Sequence, residues 1–209
     1  KLEKIGFRFL AVGGLVPLKF EKIKDILKNI RDVIKPETRI HLLGFAKAEE
    51  IHEFKQFNIF SFDSTSPLIR AFKDKKANFY SLNQQGKLDY YAAIRIAQAN
   101  DSSKLIRGIK SGAYCPDQLQ SKEKLALETL RFFDVNKVSK EKVITTVLDY
   151  IEYQLRGQKL EEKKIKKEIE ITNINLDRTL TDKPWKFCDC LICKEVGVEV
   201  IIFRGNNRN

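Results

Sequence analysis

The order of strand-like and helix-like segments in residues 1–75 constrains the fold more than any other feature of this sequence. Three apolar runs of strand length lie at Ile5–Val12, Arg39–Phe45 and Ile59–Phe62. Helical spacing of apolar residues follows each run, from Phe20 to Ile34, from near Ala48 to Phe57, and from Pro67 onward. This alternation predicts a parallel sheet with right-handed crossovers, and so an α/β fold. Three strands cannot complete an open doubly wound sheet or an eightfold barrel, so the remaining strands are expected upstream of Lys1.

The pattern changes from Lys76 onward to helices of uneven quality. The predicted elements are a helix over Asp89–Ala99, a helix capped by Ser121 and running through Phe133, a helix capped by Ser139 and ended by Gly157, a charged helical arm to Thr181, and a strand over Val198–Phe203. The stretch between Lys76 and Asp182 therefore predicts an inserted helical subdomain.

Composition favours a globular protein that meets a polyanion. Of the 209 residues, 43% are apolar, which excludes a disordered or collagen-like chain. The longest apolar runs are far shorter than the roughly 20 residues of a membrane helix. The formal net charge of +11 favours a nucleic-acid partner. Part of that charge has a simpler explanation, because the lysines between Lys159 and Lys167 are also typical of a solvated helix face.

The sequence contains no Met, even at position 1, and it stops abruptly at Asn209. We therefore expect both natural ends of the polypeptide to lie outside it. Three of the four cysteines fall within six residues, which suits a metal better than a disulfide framework and favours a reducing compartment. The cytoplasm is the expected location.

Asp63 is the candidate catalytic residue because it follows the third predicted strand. The carboxyl ends of parallel strands carry the reactive groups of α/β enzymes. Capping of the next helix is the alternative role for an Asp in such a turn. Ser66 before Pro67 is already a favourable N-cap, which leaves Asp63 available for catalysis or ligand contact.

Glycines follow the other two strands at the same predicted edge. Gly13, Gly14 and Leu15 come after the first strand, and Gly44 closes the second. Glycine allows a flat ligand to approach the backbone and its amide donors, although a tight turn is the favoured explanation of each site taken separately. The sequence has neither a dinucleotide-binding glycine fingerprint nor a phosphate-binding loop, so a nucleotide cofactor is not indicated.

Cys188, Cys190 and Cys193 form a C-x-C-x-x-C knuckle. Three thiols within one loop suit tetrahedral zinc in a structural role, and three buried small apolar side chains are the alternative. No fourth ligand follows Cys193, so His41, His52 or Cys115 folds back to the site, or the ligand lies beyond Asn209.

The chain ends in a polar, cationic segment that contains Arg204 and Arg208. These two side chains are candidates for phosphate contact with a nucleic acid. A surface loop explains the same residues without a partner.

Taken together, these motifs resemble the tRNA-guanine transglycosylases. The resemblance rests on Gly13-Gly-Leu, His41-Leu-Leu-Gly44, Phe62-Asp-Ser and the cysteine knuckle, in that order and at short spacings. The closing stretch, Pro184-Trp-Lys-Phe-Cys-Asp-Cys-Leu-Ile-Cys193 with Ile202-Phe-Arg-Gly-Asn-Asn-Arg-Asn209, is more similar to the DNA-modifying branch, the deoxypurine-in-DNA protein A group. A long helical insertion before the knuckle is a further similarity to that branch.

The resemblance implies the C-terminal part of a (β/α)8 TIM barrel over residues 1–75, a helical insertion over 76–182, and a truncated zinc knuckle and strand over 183–209. It implies a pentosyltransferase that exchanges guanine in DNA for a 7-deazaguanine such as preQ0. Asp63 would form the covalent glycosyl-enzyme, and Gly14, Leu15 and Gly44 match positions that bind the base.

Two parts of the family's machinery are not in the sequence. The second catalytic aspartate is expected upstream of Lys1, and the histidine zinc ligand shortly after Asn209, so this segment alone is expected to be inactive. Three alternatives stay open: the same exchange on tRNA for queuosine or archaeosine, a noncatalytic nucleic-acid-binding member, and a zinc-stapled α/β interaction domain.

Overall fold

A computed structural model describes residues 1–45, 50–83 and 85–205. These residues form two compact units, one over Lys1–Ala71 and one over Phe72–Asn209. Across the described ranges, every helix is too short or too polar to cross a membrane.

The first unit contains a three-stranded parallel sheet in the order β1-β2-β3. Its elements are a 3-10 helix at Glu3–Ile5, β1 at Phe9–Val12, α1 at Phe20–Val33, β2 at Arg39–Leu42, a 3-10 helix at Ile51–Phe57, β3 at Ile59–Phe62, and α2, which starts at Ser66 and ends at Lys73. The predicted parallel order of three strands is confirmed. The predicted first strand is too long, because Gly6 ends the 3-10 helix with a φ of +106° and the chain becomes extended only at Phe9. The predicted start of the second helix, Ala48, lies outside the described residues.

One face of this sheet is covered and the other is open within the unit. Helix α1 buries Ile23 and Leu27 in the same core as Ile40 and Leu42 of β2. Two phenylalanines on the opposite face, Phe9 and Phe60, pack edge to face with ring centroids 5.5 Å apart. Both remain more than half exposed, at 52% and 56%. The unit therefore shows three parallel strands with one uncovered apolar face, and not a closed barrel.

The second unit is mainly helical, but it also contains four short strands. Its elements are β4 at Phe79–Leu82, β5 at Leu88–Tyr91, β6 at Ile94–Arg95, α3 at Ser103–Lys110, α4 at Pro116–Asp134, α5 at Lys140–Gly157, α6 at Glu162–Asp182, α7 at Pro184–Phe187, α8 at Leu191–Val196, a 3-10 helix at Gly197–Ile201 and β7 at Ile202–Phe203. Strands β4 and β5 are antiparallel, and β6 pairs with β7 in parallel.

The helix predicted over Asp89–Ala99 is wrong, because a hairpin turn takes this segment into the β4–β5 pair. The side chain of Asn83 accepts hydrogen bonds from the amides of Gln85 and Lys87, at 2.9 and 3.0 Å. Gly86 supplies the left-handed conformation of the turn with a φ of +73°. Turn chemistry therefore outweighs the helical spacing of the apolar residues.

Two further boundaries differ from the prediction and one agrees. Helix α4 begins at Pro116, five residues before the predicted cap Ser121, because proline favours the first helical position. The side chain of Ser139 caps α5 through the amide of Lys142, as predicted. The predicted strand over Val198–Phe203 is mostly a 3-10 helix, and only Ile202 and Phe203 pair in β7. The Val198 amide is not available to a strand, because it donates to Asp134 Oδ2 at 3.2 Å.

The core of the second unit joins the helices to the segment around the cysteines. Trp185 of α7 and Ile201 of the last 3-10 helix are buried together with Leu130 of α4 and Tyr150 of α5. The indole Nε1 of Trp185 donates to Asp134 Oδ1 at 2.7 Å. The cysteine segment is thus anchored in the same core as the long helices. The domain boundaries at 75 and 182 stay a prediction.

Candidate functional site

The carboxyl ends of the three parallel strands meet at one edge of the sheet in the first unit. Val12 lies opposite Leu42, and Leu42 lies opposite Phe62. The ladder continues by one bond on each side, because the Leu43 amide donates to Val12 O at 2.9 Å and the Asp63 amide donates to Leu42 O at 3.1 Å. The residues that follow the strands, including the glycine turns and Asp63, therefore emerge side by side as predicted.

Asp63 presents its carboxylate at this edge with 60% of the side chain exposed. Its Oδ1 accepts a hydrogen bond from the backbone amide of Gly44. Its Oδ2 lies 3.8 Å from Nε2 of His41. The carboxylate is thus neither buried nor remote from the glycine turn, and one of its oxygens is held by a fixed donor.

Helix capping at this turn differs from the sequence prediction. Ser66 is the first residue of α2 rather than its N-cap. The hydroxyl of Ser64 accepts from the Ser66 amide at 3.0 Å, and the carbonyl of Thr65 accepts from the Ile69 amide at 2.9 Å. Thr65 therefore stands at the N-cap position, and Ser64 supplies the side-chain acceptor expected of Ser66. Within the described residues, the Asp63 carboxylate accepts from the turn after β2 and faces His41 of β2, whereas Ser64 serves α2.

The two glycine turns beside Asp63 both need left-handed backbone. Gly14 has a φ of +76° and Gly44 a φ of +70°. A Cβ on Gly44 would lie 3.1 Å from Cγ2 of Val16, so the turns after β1 and β2 are in contact. The Leu15 side chain is buried in the core, and its carbonyl accepts from the Leu18 amide. The turns themselves therefore require glycine at Gly14 and Gly44, and base binding by Gly13, Gly14, Leu15 and Gly44 stays a prediction.

A histidine that the site prediction omitted lies next to Asp63. His41 Nδ1 is 2.8 Å from the hydroxyl of Ser61, and its ring meets that of Phe9 edge on. His41 and Ser61 are cross-strand partners. Each is the last but one residue of its strand, but it is the shift in the β2–β3 register that brings them opposite each other.

The three predicted metal ligands come together in the second unit. The sulfur atoms of Cys188, Cys190 and Cys193 all lie within 4.8 Å of one another. Cys190 caps α8 and its Sγ accepts from the Cys193 amide at 3.4 Å. This backbone hydrogen bond and those from neighbouring thiols lower the pKa of Cys190, whereas burial raises the pKa of Cys193 to about 12.

This donor set fits a zinc ion. Thiolates are the soft ligands that zinc prefers in structural sites. Zinc–sulfur bonds of about 2.3 Å in a tetrahedron place sulfurs about 3.8 Å apart, so the observed cluster needs only a small contraction. Within residues 1–45, 50–83 and 85–205, the cluster contains these three cysteines and not Cys115 or a histidine.

The predicted cationic tail is only partly described. Arg204 forms an ion pair with Glu123 of α4 through Nη2. Its Nη1 is buried and has no hydrogen-bond partner among the described residues. Arg208 lies outside the described residues. Phosphate contact by either arginine stays a prediction.

Comparison with known proteins supports the resemblance found in the sequence. No family model matches the chain. A curated protein of Salmonella montevideo, named DNA-guanine transglycosylase, is 38% identical over 208 residues. The match supports the transglycosylase superfamily. It covers 100% of this chain and 47% of the relative, so the chain spans about half the length of that transglycosylase.

Proposed function

We propose that the protein containing this chain exchanges guanine in DNA for a 7-deazaguanine base such as preQ0, through a covalent bond to Asp63. The observation that carries this proposal is the exposed Asp63 carboxylate, held by the Gly44 amide at the carboxyl edge of a parallel sheet. That edge is where α/β enzymes place reacting groups. The name of the relative supports guanine as the base and DNA as the polymer.

The chemistry proposed for Asp63 is double displacement at a sugar carbon. Its carboxylate attacks C1′ of the target nucleotide, and the glycosidic bond breaks with its electron pair leaving on guanine, which takes up a proton. The incoming base, after losing a proton, then attacks C1′ and displaces the carboxylate. Each step inverts C1′, so the exchange retains configuration, as in retaining glycosidases. The strand is never cut.

The position of Asp63 requires the target nucleotide to leave its stack. In a duplex, the base of each nucleotide is paired and stacked. Its C1′ therefore cannot reach the Asp63 carboxylate while the base lies against the turns that contain Gly14 and Gly44. Extrusion of a nucleotide costs a few kcal/mol, and less where the base is unpaired. Gly14 and Gly44 carry no side chains, which favours the approach of a flat base to their backbone beside Asp63.

The open face of the sheet supports a barrel around this site. Parallel sheets are normally covered on both faces. Here Phe9 and Phe60 are about half exposed on the face opposite α1. We propose that further strands cover this face and that β1–β3 are three units of a (β/α)8 barrel. Asp63 would then lie at the barrel mouth.

We assign a structural zinc site to Cys188, Cys190 and Cys193. Zinc would hold the loop between α7 and α8 closed, and its binding energy would contribute directly to folding. The positions of Trp185 and Val198 in the core of the second unit tie the loop to the long helices. The site would therefore stabilise the segment without entering the reaction.

Trapping of the covalent intermediate tests the assignment of Asp63. The full-length protein is incubated with guanine-containing DNA, denatured, and analysed for a protein–DNA adduct. We expect an adduct with the unmodified protein and none with Asp63→Ala. Asp25→Ala, which removes an exposed carboxylate from α1, is the matched control and should retain the adduct. An adduct that persists in Asp63→Ala would exclude this nucleophile, and a noncatalytic protein would form no adduct at all.

A second experiment identifies the polymer and the base. Nucleosides from DNA and from tRNA of cells with and without the intact gene are compared by mass spectrometry. A 7-deazaguanine nucleoside that disappears from DNA supports the proposal. Its disappearance from tRNA alone would assign the same chemistry to the queuosine or archaeosine type. The basic charge of +11 favours either polyanion and does not choose between them.

A further inference from the structure

The imidazole of His41 is held in one orientation by contacts with two neighbouring strands. Its Nδ1 is 2.8 Å from Ser61 Oγ on β3, and its ring packs edge on against Phe9 of β1 with centroids 6.4 Å apart. Only 22% of the side chain is exposed. The opposite ring nitrogen, Nε2, points to the Asp63 carboxylate, 3.8 Å from Oδ2.

The two neighbours of the ring favour one tautomer. A neutral imidazole carries one proton, which resides on Nδ1 or on Nε2. A proton on Nδ1 would direct the lone pair of Nε2 at a negative carboxylate oxygen, which is repulsive. The Ser61 hydroxyl can donate to Nδ1 instead, since a hydroxyl rotates to suit its partner. The Nε2–H tautomer then satisfies Ser61 and attracts Asp63.

We propose that His41 is a positioning residue for Asp63, which it fixes through Nε2–H while Ser61 selects the tautomer. This assignment deepens the proposed transglycosylase function and rests on it for its catalytic consequence. The Gly44 amide holds Oδ1, and the imidazole faces Oδ2 at 3.8 Å, so a bound substrate needs only a small approach of the ring to restrain the second oxygen. Each carboxylate oxygen has two lone-pair directions, so a donor on one leaves the other for C1′.

The imidazole also assists the second half of the reaction. When the incoming base attacks C1′, the Asp63–sugar ester bond breaks and its electron pair returns to the carboxylate. A donor that faces a carboxylate oxygen stabilises the negative charge that develops on Asp63 as this ester bond breaks. The 3.8 Å separation is longer than a hydrogen bond, and such contacts shorten as the reacting complex forms.

Nitrogen-15 NMR of the histidine rings tests the tautomer without depending on any activity. The chain contains two histidines, His41 and the exposed His52, so His52 is an internal reference. The protein containing the chain is studied above pH ~8, where a neutral imidazole is expected. We expect His41 to carry its proton on Nε2, and to lose this preference in Asp63→Ala and in Ser61→Ala while the His52 signals stay unchanged. A proton on Nδ1 in the unmodified protein, or a tautomer indifferent to both substitutions, would overturn the proposal.

Steady-state kinetics of base exchange, together with the rate of adduct formation, test the catalytic consequence. His41→Leu should lower kcat by about 10²-fold with little change in KM, because it misplaces a reacting group without removing a substrate contact. His41→Gln, whose Nε2 can donate from a similar position, should recover most of that loss, and His52→Gln is the control. Equal losses in both His41 variants, or a change in KM alone, would refute a positioning role.

The two arms separate this inference from the proposed function. An Nε2–H tautomer controlled by Asp63 and Ser61 in a protein that forms no adduct would refute transglycosylation and uphold the pairing of the two side chains. An adduct that forms at an undiminished rate in His41→Leu would uphold transglycosylation and refute the role of His41.

Discussion

The carboxylate of Asp63 accepts a hydrogen bond from the backbone amide of Gly44, 19 residues earlier in the chain. The Asp63 amide in turn donates to the carbonyl of Leu42 at 3.1 Å. Both the backbone and the side chain of Asp63 are therefore tied to the end of β2. A nucleophile restrained in this way loses little conformational freedom when it reacts, which favours catalysis.

Substitution of Gly44 by alanine should weaken this restraint. Gly44 has a φ of +70°, and a new Cβ would lie 3.1 Å from Val16 Cγ2. The left-handed conformation costs a residue with a Cβ about 1–2 kcal/mol, so the turn should relax and move its amide. We expect Gly44→Ala to lower the free energy of unfolding by that amount and to slow adduct formation by about 10²-fold. Denaturant titration and the trapping assay measure the two effects.

Gly86→Ala is the matched control for Gly44→Ala. Gly86 has a φ of +73° in the β4–β5 turn, and a Cβ there would meet nothing within 4 Å. The backbone strain is the same, but Asp63 is not involved. This variant should lose a similar free energy of unfolding and keep the rate of adduct formation. An equal loss of rate in both variants would show that the effect of Gly44→Ala is only a loss of stability.

The fold of the first unit follows from local patterns, whereas much of the second does not. Strand β3 has the predicted bounds, Ile59–Phe62, because a short apolar run between helical segments has few other options. Strand β6 pairs with β7, and Ile94 and Ile202 are partners more than 100 residues apart. The spacing of apolar residues within either segment does not indicate that pairing. The side chain of Asn83 likewise stabilises the hairpin turn through hydrogen bonds, which a pattern of apolar residues does not reveal.

The candidate site shows the same division between what the sequence predicts and what it does not. Asp63 and Gly44 are predictable because parallel strands bring their carboxyl ends together. The partner of His41 is not, because the β2–β3 register shifts between Ile40 and His41 and places Ser61 rather than Phe60 opposite the histidine. A one-residue shift of this kind moves a different side chain to the contact.

Asp134 should make the stability of the second unit depend on acid pH. Its side chain is 13% exposed and binds Lys186 Nζ at 2.7 Å. Burial raises the pKa of its carboxyl, but hydrogen bonds from Lys186, Trp185 and the Val198 amide together lower that pKa below the ordinary value. Because the folded pKa is lowered, the stabilisation is present above the ordinary pKa, near 4, and is lost as pH falls through the folded value.

Asp134→Asn should therefore lower the free energy of unfolding by about 2 kcal/mol at pH 7 and by much less at pH ~2.5. Urea unfolding of both proteins between pH ~7 and ~2.5 measures the difference. Asp149→Asn is the control, since Asp149 is 53% exposed in its pair with Lys122 and should contribute less than about 1 kcal/mol. A difference between Asp134→Asn and the unmodified protein that stays constant across this range would contradict the assignment.

Removal of the proposed zinc ligands should release metal and lower the melting temperature. We expect about one zinc per chain in the full-length protein, and loss of that zinc in Cys190→Ser and in Cys193→Ser. Cys115→Ser should retain the metal, because Cys115 is a free cysteine outside the cluster. Elemental analysis and thermal melts with and without a chelator measure both effects. A folded protein without metal, whose melting temperature a chelator does not change, would exclude a structural zinc.

Contact with Tyr114 should make any side chain at Gly157, the last residue of α5, destabilising. The ring of Tyr114 lies so close to this helix that a Cβ on Gly157 would overlap its Cε1 atom, and its hydroxyl donates to Gln154 O at 2.6 Å. In a helix, glycine to alanine normally gains about 1 kcal/mol. Here Gly157→Ala should instead cost about 1–3 kcal/mol, because the ring must move out of a packed core.

A double-mutant cycle with Tyr114→Ala separates this clash from any other effect of the new methyl group. Tyr114→Ala alone should be destabilising, since it removes a buried ring and a hydrogen bond. In that background Gly157→Ala should become neutral or stabilising, because the atoms that it would meet are gone. Urea titration of the four proteins gives the coupling free energy. A cost of Gly157→Ala that is the same in both backgrounds would show that Tyr114 is not what requires glycine at this position.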